Sequence, residues 1–132
     1  MALAGGGTDE QKAIAADALR TLAFGDDDVQ VAIAQAGGVA PLVALARDGT
    51  AEQKTAAAGA LRNLAANADN QLAISQAGGI KPLLALARDG TDEQRALAAA
   101  ALDAYEGRLL NKDGTPAWPL QQEGASASKE DL

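Results

Sequence analysis

The sequence predicts an all-α protein, a short right-handed α-solenoid of stacked three-helix units, and three observations carry that prediction. Residues 35–50, QAGGVAPLVALARDGT, return as residues 76–91, QAGGIKPLLALARDGT, with three differences. A capping-box tetrapeptide recurs as Thr8-Asp9-Glu10-Gln11, Thr50-Ala51-Glu52-Gln53 and Thr91-Asp92-Glu93-Gln94, 42 and then 41 positions apart. Alanine and leucine supply most of the apolar content and aromatic residues only 2%, which favours helices over strands. A unit copied at a fixed period is one supersecondary element that cannot bury its apolar face alone, so the copies stack. This period suits three helices per unit better than two.

In chain order, residues 1–7 read as a flexible leader. Each capping box then opens a long helix, the threonine oxygen accepting from the third backbone amide while the glutamine side chain reaches back. In the middle copy Ala57, Ala60, Leu61 and Leu64 fall on one helical face, and so predict core. Ala15, Ala18, Leu19 and Leu22 repeat that stripe in the first copy, and Ala98, Ala101, Leu102 and Tyr105 in the last. Between the long helices lie two short ones. Residues 28–36 and 70–77 read as the first of each pair, entered from the polar clusters at 26–28 and 67–70. Gly37-Gly38 and Gly78-Gly79 stop them, since glycine admits the left-handed conformation that ends a helix. Pro41 and Pro82 sit in the first turn of the second short helix, where no amide donor is needed. Arg47 and Arg88 suit its C-terminal dipole. The repeat region therefore spans 8–106, one long helix followed by two complete short-short-long units. Residues 107–132 lose the period, gain Pro, Gly, Ser and mixed charge, and read as a disordered tail.

Composition excludes several kinds of function. A formal net charge of −7 argues against nucleic acid or an anionic membrane surface as the main partner, because both need a concentrated positive field. The chain has no cysteine and no histidine, so Ser75, Ser126 and Ser128 have no imidazole to activate them. No cofactor is expected. The run Asp26-Asp27-Asp28 lacks the spaced ligands of a calcium loop and reads as a helix cap, leaving no metal site. The Gly-Gly turns are not followed by the Lys-Ser/Thr of a phosphate loop. No apolar run reaches transmembrane length, and a cytoplasmic or nuclear location is expected. The final four residues, KEDL, resemble an ER-retention tetrapeptide with its acidic residues exchanged, and are read as coincidental.

Residues 8–106 resemble armadillo repeats, on the strength of QAGG followed by Pro-Leu-Val-Ala-Leu-Ala at 35–46 and AAGALRNLA at 57–65. The resemblance implies that the long helices line a concave groove in which extended peptides lie. In the best-known peptide binders of the family each long helix offers an asparagine, with a tryptophan one turn earlier. The asparagine position falls here at Thr21, Asn63 and Ala104, and the tryptophan position at Asp17, Gly59 and Ala100; only Asn63 matches. The expected groove residues are Asp17, Arg20, Thr21 and Phe24, then Gly59, Arg62 and Asn63, then Asp103. Arg20 and Arg62 occupy equivalent positions, either to meet an acidic peptide group together or as ordinary solvated charges.

The function expected from this is a non-enzymatic scaffold or adaptor that binds a protein or extended peptide. The alternative is a truncated or engineered piece of an array that self-associates as a homo-oligomer through exposed repeat ends, because so short a solenoid leaves apolar surface at both ends. Trp118, between Pro116 and Pro119, is either a cap on such a surface or loose.

Overall fold

The computed structural model describes residues 8–105. Over these the chain forms seven helices and no strand: α1 Asp9–Ala23, α2 Asp27–Gln35, α3 Val39–Asp48, α4 Ala51–Leu64, α5 Ala68–Gln76, α6 Ile80–Asp89 and α7 Asp92–Asp103. The long helices α1, α4 and α7 begin at the three capping boxes. In α4 the backbone amide of Gln53 donates to Thr50 Oγ1 at 3.1 Å and the backbone amide of Thr50 donates to Gln53 Oε1 at 2.9 Å. Thr8 with Gln11 and Thr91 with Gln94 make the same pair of bonds. Each pair satisfies two of the donors that a helix start leaves open.

The short helices start earlier than the sequence suggests, because the capping side chain is the first of each polar cluster. Asp26 accepts from the backbone amide of Val29 at 3.1 Å, and Asn67 from those of Asp69 and Asn70. Helices α2 and α5 therefore open at Asp27 and Ala68 and close at Gln35 and Gln76. Gly37 and Gly78 then adopt φ of 85° and 80°, a conformation that costs glycine little. This returns the amides of Gly38 and Gly79 to the carbonyls of Ile33 and Ile74, and the chain bends by 83° between α2 and α3. No described helix is long and apolar enough on its own to cross a membrane.

The core is a stack of long helices backed by the second short helix of each unit. Helix α4 packs between α1 and α7, with α3 behind α4 and α6 behind α7. Where the long helices meet, the residues are small: Ala16, Ala57, Ala58, Ala60, Ala98 and Ala101 are fully buried. Leu42, Leu61, Leu64, Leu83 and Leu102 supply the larger buried volume. Close approach brings the backbone of one unit within reach of side chains from the next. Gln53 donates from Nε2 to the carbonyl of Asp9 at 2.8 Å, and Gln94 does the same one unit on, to that of Ala51 at 3.0 Å. Asn70 of the second unit donates to the carbonyl of Gln30 in the first, while within the second unit the Tyr105 hydroxyl donates to the carbonyl of Gln71 at 2.9 Å.

Two expectations need correction. In the first long helix only Leu19 of the predicted core stripe is buried; Ala15 is half-buried, while Ala18 and Leu22 are exposed. No described helix precedes α1, so the face that α4 and α7 press against an earlier unit is open on α1. The last long helix ends at Asp103, with Ala104 and Tyr105 in a turn, instead of running to about Glu106, which lies outside the described residues.

The inter-unit bond of Gln53 is testable against Gln11, which makes the same cap and, among the described residues, no such bond. Gln53→Ala is expected to cost about 2 kcal/mol, one cap bond plus a buried amide–carbonyl bond, and Gln11→Ala about half that. Thermal unfolding monitored by circular dichroism separates them; equal losses would remove the inter-unit bond from the account. A second prediction concerns Tyr105, whose phenol burial pushes up to about 12 from the usual 10.0. The folded state then holds a proton that the unfolded state releases first. Stability is thus intact below pH 10 and lost as pH rises towards 12. As the one tyrosine of the chain, Tyr105 is read directly by phenolate absorbance, and its titration should move back towards 10 on unfolding.

Candidate functional site

The short helices cover one side of the long helices, which leaves the opposite side of α1, α4 and α7 open. The repeat sets what lies there, because equivalent turns of the three helices stand side by side. A hollow of about 480 Å³ is lined by Ala13, Ile14, Asp17 and Arg20 from α1, Glu52, Thr55 and Ala56 from α4, and Glu93 from α7. That volume accommodates one or two side chains of a ligand. Asp17, Glu52 and Glu93 against Arg20 leave it with two net negative charges, three carboxylates less one guanidinium. Glu52 and Glu93 are the third residues of two capping boxes. Sequence reading used them only as helix signals, although their recurrence at the repeat period was the clue that stacking would align them.

A second, smaller hollow lies towards the other end of the long helices, lined by Gly25, Asp27, Gln30, Arg62, Asn63 and Ala66. Gln30 is buried and donates from Nε2 to the carbonyl of Ala23 at 2.8 Å, while its Oε1 meets no donor among the described residues. Its counterpart Gln71 bridges the carbonyls of Ala65 and Ala104.

The residues expected in the groove are placed as follows. Asp17 and Thr21 are exposed on α1, with the Thr21 hydroxyl donating to the carbonyl of Asp17 at 3.0 Å. Phe24, at the end of α1, is 72% exposed. Arg20 is half-buried because its side chain lies across α4 at Gly59, where a Cβ would come within 2.5 Å of the arginine Cδ. Gly59 is thus buried beneath Arg20 and presents no open surface. Asn63 donates from Nδ2 to the carbonyl of Arg20 at 2.7 Å, so its amide nitrogen ties α4 to α1. Arg62 is exposed and lines the second hollow, whereas Arg20 lines the first; the structure does not bring the two arginines into one site. Asp103 is exposed at the end of α7. Trp118 lies outside the described residues.

A third hollow opens on the flank of the short helices, with Arg47, Lys54 and Lys81 around an apolar floor of Pro82 and Leu86, and Asp89 at its edge. Among the described residues no three carboxylates are grouped to hold a metal ion.

The armadillo/β-catenin-like repeat family matches residues 26–66, which is one complete unit, α2 to α4. No curated protein matches the chain. Among solved structures, an engineered protein from the Northeast Structural Genomics Consortium shares 34% identity, with a TM-score of 0.73 over 77% of this chain and 42% of its own. A designed armadillo repeat protein in complex with the peptide (KR)4 shares 27%, with a TM-score of 0.72 over 77% of this chain and 43% of its own. Computationally designed armadillo repeat proteins for modular peptide recognition share 28%, with a TM-score of 0.75 over 83% and 46%. The chain spans less than half the length of each. Three-helix units at this period, Gly-Gly turns and these likenesses agree: the chain has the armadillo repeat solenoid fold, and residues 26–66 match the family's repeat.

Proposed function

We propose that the chain is a non-enzymatic binding module that takes an extended peptide bearing basic side chains along the open face of α1, α4 and α7. The observation that carries this reading is the row of Asp17, Glu52 and Glu93 around one hollow. A lysine or arginine side chain entering there makes charge-assisted hydrogen bonds to carboxylates that the repeat has already positioned. Arg62 and the side-chain oxygen of Asn63, in the neighbouring hollow, offer donors and an acceptor to the peptide main chain. Separation of Arg20 from Arg62, and the carboxylates beside Arg20, favour a basic over an acidic ligand. A similar structure, the designed protein in complex with (KR)4, supports the same polarity. The chemistry available here is recognition by shape and charge, since the chain has neither histidine nor cysteine to supply a base or a thiolate.

Fluorescence anisotropy with a labelled alternating Lys-Arg octapeptide tests the reading, with an alternating Glu-Asp octapeptide as control. The basic peptide is expected to bind, more weakly as salt is raised. Glu52→Gln with Glu93→Gln should weaken it about tenfold, roughly 1.4 kcal/mol, at unchanged helicity. Binding of the acidic peptide instead, or an unchanged affinity in the double variant, would overturn it.

A further inference from the structure

Gln11, Ile14, Ala18 and Leu22 lie at i, i+3, i+7 and i+11, one stripe along α1. The same stripe on α4 is Gln53, Ala56, Ala60 and Leu64, and along α7 and the turn after it Gln94, Leu97, Ala101 and Tyr105; all eight are 7% exposed or less. On α1 Ile14 and Leu22 are each 60% exposed, and Gln11 and Ala18 are exposed as well. This is the face that α4 turns to α1 and α7 turns to α4. The opposite face repeats too: Ala13 and Ala16 of α1 are buried where α4 arrives, whereas their equivalents Ala96 and Ala99 on α7 are exposed and half-buried.

We propose that a second copy of this chain docks head to tail, the Ile14–Ala18–Leu22 stripe of one copy seating on Ala96 and Ala99 of the next. The interface continues one the molecule already makes twice. Its polar component is in place as well. Gln53 and Gln94 each use Oε1 for their own cap and donate Nε2 to the first-turn carbonyl of the preceding long helix, at Asp9 and Ala51. Gln11 uses its Oε1 in the same way, accepting from the Thr8 amide. In the docked copy its Nε2 donates to the equivalent carbonyl, that of Asp92. Small residues on the receiving face let the helices approach as closely as α1 and α4 do, and leucine and isoleucine supply the apolar burial. Because the two faces differ, the contact is heterologous and each added copy presents a fresh stripe, so assembly is open-ended.

Light scattering across a concentration range, on the full chain, reads this directly. The parent is expected to gain mass steadily with concentration. Leu22→Glu and Ala96→Glu, both at exposed helix positions, should each be monomeric with unchanged circular dichroism. Each keeps one competent face, so an equimolar mixture should stop at a one-to-one heterodimer. A parent that stays monomeric, a Leu22→Glu variant that still associates, or an Ala96→Glu variant that dimerises alone, as a contact between two α1 stripes would, overturns the proposal.

Discussion

Everything else in this molecule depends on the alanine-floored contact between successive long helices. Small side chains bury little area each, and burial scales with area, so such a contact is weak per residue unless the backbones come close. Alanine permits that approach. Once the helices are close, carbonyls of one lie within reach of amide side chains from the next: Gln53 and Gln94 use carbonyls at the first turn, and Asn63 uses that of Arg20 in the last turn of α1. The buried amides thus fix the register of a contact that apolar surface alone would leave free to slide, because a shifted helix would strand them without partners. Gly59 extends the same logic on the open side, where a missing Cβ lets the Arg20 stem lie against α4.

Register has a functional consequence. Stacking the long helices in step sets their capping-box turns side by side, and residues chosen for helix initiation become a row on the open face. Glu52 and Glu93 sit near the helix N-termini, where a carboxylate is favoured by the dipole, and they face the same hollow as Asp17 from the preceding helix. The row of carboxylates on which the proposed binding of a basic peptide rests therefore emerges from features that each helix already needs for its own stability.

The repeat also explains why one stripe carries two meanings. On α4 and α7 it is core, and on α1 the same kind of residues stand in water, because burial belongs to the contact and not to the helix. A face built to receive a preceding unit has the shape and the hydrogen-bonding donor for another such unit, which is the basis of the proposed assembly between copies.

How much of this was legible in the sequence follows from the range of each interaction. Capping boxes, the Gly37 and Gly78 turns and the first-turn prolines all act within a few residues, the period repeats them, and the helices they predict are present with ends shifted by one to three residues. The stack of three-helix units followed from their order, and its likeness to armadillo repeats from the motifs at 35–46 and 57–65. Long-range contacts were not legible. Leu22 and Leu64 follow the same alanine-leucine pattern, yet one is exposed and the other fully buried. Asn63 reads as a groove residue, and its amide nitrogen is spent on the carbonyl of Arg20, 43 positions away. Gly59 reads as groove lining and lies beneath an arginine. The sequence by itself determined which segments are helical, where they turn and that they stack, since those depend on local backbone preference and period. Only the tertiary structure decided which faces meet water and which carboxylates share a hollow, since those depend on contacts between segments about one repeat apart.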